Sequence, residues 1–256
     1  MHLPRWISAN WDAMKHKPVI WRTIGQSITN TEAELAPYRK EGLKIVRYSP
    51  MEENIPGYLG SDALIRFYKD ENEFKDWNGE KEQVITFAQS MEQRGSHCNF
   101  NTFVTSTEGL PRTLFGPGNE HHDFSPGKVP FDQLKQELRD NRVYFATGTH
   151  PASYTLNVME ALMTGIPMVA VGRQLGNGHQ FGIPFPGLYE VPNFIENGVN
   201  GFCSDDINEL KDFCKQLLAD YELAKRIGSV GRETAKNLFN KERIYSEWDE
   251  FLTVLT

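Results

Sequence analysis

No stretch of this 256-residue chain approaches the ~20 consecutive apolar residues of a bilayer-spanning helix. The opening residues, MHLPRWISANWDAMKHK, lack the apolar core of a secretory signal. Cysteine is scarce: Cys98, Cys203 and Cys214 form no CxxC pair, and an odd count gives no disulfide framework. Three buried free thiols in a reducing cytoplasm are the expectation. Positive charge is also short. With 27 Lys and Arg against 34 Asp and Glu, the net charge of −7 argues against a duplex-binding surface, which needs clustered cations. There is no internal repeat and no low-complexity tract. These absences leave a soluble cytoplasmic protein with no transmembrane segment and no nucleic-acid partner.

What the chain does have is core-forming bulk, with 16 Phe, 9 Tyr and 5 Trp. PVIWRTIG (18–25) and LKIVRYSP (43–50) read as strands around a helix, TEAELAPYRKEG, capped at Thr29 or Thr31. The charged run YKDENEFKDWNGEKE (68–82) reads as a linker. Beyond it, short β-branched strands (QVITFAQ, RTLFGPG, RVYFATG, PMVAV) alternate with helices, and three helices close the chain. That alternation predicts an α/β fold, a Rossmann-like parallel sheet covered on both faces. Ligands of such sheets bind beyond the carboxyl ends of the strands.

One such end is GTHPASY, within FATGTHPASYTLNVMEALMTGIPMVAVG (145–172). A helix starting near Ser153 to Thr155 would turn free N–H groups and its positive dipole end toward that loop, which suits a phosphate. Leu156, Met159 and Met163 share one face; Asn157, Glu160 and Thr164 share the other. On spacing alone the polar face is expected to be solvated.

Three separated motifs, YTLNVMEALMTGIPMVAVG, VPNFIENGVNGF and LLADYELAKRIGSVGRETA, resemble the carboxyl-terminal domain of the retaining GT-B glycosyltransferases of family 4, over residues 84 to 240. The resemblance implies a GT-B fold with a truncated amino-terminal domain: a shortened acceptor-side region and linker (1–82), a nucleotide-sugar-binding domain (83–240) and a helix crossing back (241–256). It further implies a glycosyltransferase, a hexosyl or related transferase moving a sugar from a nucleotide diphosphate sugar to a glycan or other acceptor hydroxyl. No cofactor or metal is implied.

By the same resemblance Glu160 holds the nucleotide ribose, and the backbone around Ser153, Tyr154, Thr155 and Leu156 holds the diphosphate. Arg94 stands for the family's phosphate-binding lysine, so Arg94 and Glu160 are the catalytic assignments. Val129 lines the base pocket. The chain departs from the family at Ala152, where the first glutamate of the motif falls, and at Gln89, where an arginine falls. WRTIGQS lacks the usual histidine, while His150 is either a sugar contact or an ordinary loop residue. Arg22 and Gln26 are either acceptor-side groups or structural ones. Residues 173–187 are expected to form a flap. NEHHDF (119–124) is read as a surface loop, since adjacent histidines lack a familiar metal spacing.

The short amino-terminal region would leave a sheet edge exposed, so a homo-oligomer or a partner chain is expected. Two other readings stay open: a non-catalytic nucleotide-sugar-binding subunit, and a sugar-nucleotide epimerase, which would need carboxylates and histidines from a full amino-terminal domain.

Overall fold

The computed structural model describes residues 4–25, 28–180, 183–184 and 187–255. Gln26 and parts of the expected flap, 181–182 and 185–186, lie outside them. The chain begins with α1 (Pro4–Met14), β1 (Ile20–Arg22), α2 (Thr29–Lys40), β2 (Lys44–Arg47) and β3 (Ala63–Leu64). The three strands pair in parallel in the order β1-β2-β3. Helix α1, which the sequence reading did not assign, buries Ile7 and Trp11 against Leu35, Leu43 and Ile45. The expected threonine cap of α2 is not made: the cap is Ile28, without a side-chain hydrogen bond.

The larger unit follows as β4 (Lys81–Phe87), α3 (Met91–Arg94), α4 (Phe100–Ser106), β5 (Arg112–Phe115), α5 (Phe131–Asp140) and β6 (Asn141–Ala146). Next come α6 (Leu156–Thr164), β7 (Met168–Val171), α7 (Arg173–Asn177) and a two-stranded ribbon, β8 (His179–Gln180) with β9 (Ile183–Pro184). The chain closes with β10 (Phe202–Ser204), α8 (Ile207–Ala219), α9 (Tyr221–Phe239) and α10 (Lys241–Thr253). Five strands form one parallel sheet in the order β10-β7-β6-β4-β5. Strands β6 and β7 are buried at every residue, as strands covered on both faces must be.

The closing helices are well specified locally. Asp206, Asp220 and Asn240 each accept a first-turn N–H, and α8 buries Leu210, Cys214 and Leu217 at helical spacing. Gly228 lets α9 cross α6 closely, for a Cβ there would stand 2.0 Å from the Gly165 carbonyl oxygen. Helix α10 returns to the small sheet, where Ile244, Trp248 and Phe251 pack with Val46 and Ile65. Cys98 and Cys214 are buried free thiols; Cys203 is only half-buried.

The charged run 68–82 is not a loose linker. Phe74 is buried in the main core, and Arg232 donates to the carbonyls of Glu71 and Phe74. Local composition predicted a linker; tertiary packing also recruits its aromatic and charged groups.

Under the small sheet Arg47 is fully buried, bidentate to Glu32 at 2.6 and 2.8 Å and bonded to the Gly60 carbonyl. Arg47→Met would strand the Glu32 carboxylate, a loss of about 3–5 kcal/mol. Urea unfolding should show it as a lower midpoint.

Candidate functional site

Strand β6 ends at Ala146, and its backbone turns through a cis His150–Pro151 peptide into α6. Thr155 caps α6 in an extended conformation, with no side-chain bond to the first turn. The helix amino terminus is therefore left to whatever docks beyond the sheet.

The preceding loop is held from outside its own unit. Ser153 N–H donates to the Tyr48 hydroxyl at 2.6 Å, and the Tyr154 hydroxyl donates back to the Tyr48 carbonyl at 3.0 Å. The Tyr154 ring packs edge-on to Tyr48 and against Phe194 and Phe239. Burial pushes Tyr48 well above its ordinary value and Tyr154 to about 12, so both hydroxyls stay neutral near pH 7. Glu190 N–H donates to the Ser153 carbonyl, and its carboxylate is bound by Arg66 and the Ser49 hydroxyl. The Ser153 hydroxyl is buried without a hydrogen-bond partner.

Helix α6 corrects the expected faces. Val158 to Thr164 are all buried, with Glu160 only 4% exposed, while Leu156 stands 50% exposed. The helix packs against α9 and α5, and Asn157 reaches the end of β4, so both faces have neighbours. A carboxylate at that depth requires a partner. Lys69 supplies it, with Nζ 2.5 Å from Oε1, and its ammonium lies 5.1 Å from the Phe74 ring centroid. Burial raises the Tyr144 hydroxyl, with the Glu160 charge adding to it. Along the same face Asn157 donates to the Phe87 carbonyl and Thr164 to that of Glu160.

The other assignments are spread along the carboxyl ends of the strands. Gln89 is exposed in the turn after β4, and Arg94 is half-buried at the end of α3. The segment after Arg94 meets the loop before α6 through the His97 carbonyl, which accepts His150 N–H at 2.9 Å. His150 is 6% exposed, with Gly178 so close that a Cβ there would come within 2.5 Å of Nε2. Val129 packs against the core after β5. Ala152 touches Gly25 of the small unit, whose Cβ would stand 2.9 Å from the alanine methyl. Gly25 has φ +79°, so glycine suits both the space and the backbone. Arg22 donates to the Arg47 carbonyl and lies over Phe67 and Trp248; burial lowers its guanidinium to about 10.

Sequence reasoning missed Tyr48, Ser49, Arg66, Lys69 and Glu190. Each meets its partner from more than ninety positions away, the Ser49–Glu190 pair from 141. The only local signal was an aromatic or charged residue at a strand end or in the run after it.

The architecture is that of a GT-B fold, with a parallel sheet on either side of a seam. HepE of Anabaena, solved with UDP and glucose, superposes with a TM-score of 0.71 at 15% identity, over 98% of this chain and 76% of HepE. Sucrose-phosphate synthase of Thermosynechococcus elongatus gives 0.68 at 16% identity, over 98% of this chain and 71% of the synthase. The pneumococcal O-GlcNAc transferase GtfA, solved with UDP and GlcNAc, gives 0.67 at 12%, over 97% and 54%. No protein-family model matches the sequence, and no curated protein matches it. Among the described residues no helix is long and apolar enough to cross a membrane.

Tyr48→Phe removes the acceptor of Ser153 N–H and should cost about 1–3 kcal/mol, the penalty of an unsatisfied buried donor. Amide exchange at Ser153 should accelerate more than exchange in β6, a difference that separates local loosening from global destabilisation.

Proposed function

We propose that this chain transfers a sugar from a nucleoside diphosphate sugar, with uracil as the favoured base, to a hydroxyl of a glycan or other acceptor. The observation that carries the reading is Glu160: a buried, ion-paired carboxylate one turn into the helix that opens beyond the carboxyl ends of the sheet. Two carboxylate oxygens suit the two hydroxyls of a ribose diol. Solved structures of HepE with UDP and with UDP-glucose, on the same fold, support the choice of donor.

In this reading the backbone at Ser153 to Leu156 and the positive end of α6 receive the diphosphate, and Arg94 neutralises charge as the leaving group departs. Gln89 adds a neutral polar contact, Val129 borders the base, and His150 borders the sugar. Arg22 and Gln26 belong to the acceptor side. The donor phosphate accepts the acceptor proton on the face it leaves, which gives retention of configuration without a separate general base or a catalytic metal. Lys69, ion-paired to it, holds the Glu160 carboxylate in place for the ribose. A homo-oligomer or a partner chain completes the acceptor cleft, and the cytoplasm is the proposed location.

One feature favours a second reading, a non-catalytic nucleotide-sugar-binding subunit. Ala152 stands where the resemblance leads one to expect a sugar-binding glutamate, and Gly25 is packed against it.

Calorimetric titration with UDP, GDP, ADP and dTDP tests the site. UDP is expected to bind tightest, and Glu160→Ala to weaken it at least tenfold, ~1.4 kcal/mol. Absence of binding by all four nucleotides would overturn the donor site. Nucleotide binding with neither donor hydrolysis nor transfer, across a panel of UDP-sugars, would favour the second reading.

A further inference from the structure

We propose that Glu92, His121 and His122 form a binding site for a divalent transition-metal ion of the zinc type. The histidines that looked like an ordinary surface loop are brought by the fold to a carboxylate 29 positions away. His121 Nε2 lies 2.7 Å from Glu92 Oε2, and His122 Nε2 lies 3.4 Å from the same oxygen. All three ligand atoms fall within 4.8 Å of one another. His122 Nε2 is buried, makes no hydrogen bond, and lies close to the carboxylate.

The site is built rather than accidental. The His122 ring stacks with Phe100 and with Phe124, each 5.0 Å away by ring centroid, which restrains the imidazole plane. Asn119 is fully buried and joins both halves: its Oδ1 accepts Met91 N–H, while its Nδ2 donates to the carbonyls of Ala88 and Gly116. The Asn119 carbonyl in turn accepts His122 N–H at 3.0 Å. Glu92 follows Met91, so the carboxylate and the histidines are tied to the same residue, one through its side chain and the other through its backbone carbonyl.

Two imidazoles and one carboxylate select zinc, cobalt or nickel over magnesium and calcium, which take oxygen cages. Zinc bonds of 2.0–2.1 Å in a tetrahedron put ligand atoms about 3.3 Å apart. The Glu92–His122 spacing of 3.4 Å already meets that. The Glu92–His121 hydrogen bond of 2.7 Å would open by about 0.6 Å as the metal replaces its proton. Both side chains are about half exposed, 49% and 48%, and have room to do so. A fourth position would be left to water. Because Arg94 sits on the same one-turn helix as Glu92, a bound ion would clamp α3 to the turn after β5. The site stands independently of the nucleotide reading.

The test uses the full chain without a histidine tag, stripped with chelator and then titrated with zinc, cobalt and magnesium. Calorimetry should show one zinc equivalent, and cobalt should give the visible bands of low coordination number. The thermal midpoint should rise with zinc and not with magnesium. Glu92→Gln and His121→Ala alter exposed side chains; each should weaken zinc at least tenfold while leaving the metal-free melting curve near that of the parent. No zinc binding, or binding unchanged in both variants, would overturn the site and leave a surface ion pair.

Discussion

The loop before α6 depends on one tyrosine. Tyr48 stands at the end of β2 in the small sheet, yet its hydroxyl accepts the Ser153 amide and its carbonyl accepts the Tyr154 hydroxyl. The start of α6 is thus positioned from across the seam, while Ser49 and Arg66 hold Glu190 beside it. In a buried, low-dielectric seam these bonds are costly to leave unmade, so the two units come together in one arrangement. The Ala152–Gly25 contact follows from that closeness and leaves little space for a longer side chain there.

Glu160 illustrates the second constraint. Spacing on an isolated helix assigns it to a polar face, but α6 has neighbours all round, and burial forces a counter-charge. Lys69 comes from the charged run that local composition marks as a tether. The same run also supplies Phe74 to the core and places its carbonyls under Arg232. A segment rich in charge is therefore part of the packing, since each cation finds an anion or a carbonyl at the end of an apolar stem.

The two histidines beside Glu92 follow the same logic at the sheet's edge. Adjacent histidines in a turn have no ligand geometry of their own; Asn119 confers one by tying that turn to α3. Tertiary contacts turned an uninformative dipeptide into a defined cluster.

The sequence by itself determined the layered α/β architecture. Strands covered on both faces read as apolar runs, and VYFA and MVAV declare it, as the caps and apolar stripes of the closing helices declare them. It also marked the loop before α6, because a strand–loop–helix junction in a parallel sheet is legible from local pattern. It did not reveal α1, or the depth of Glu160, or the partners Tyr48, Arg66, Lys69 and Glu190. Those partners meet their counterparts from 91 to 141 positions away, and periodicity carries no information on such contacts. Only the tertiary structure decided which polar groups are buried, because burial is set by what the rest of the chain places against them.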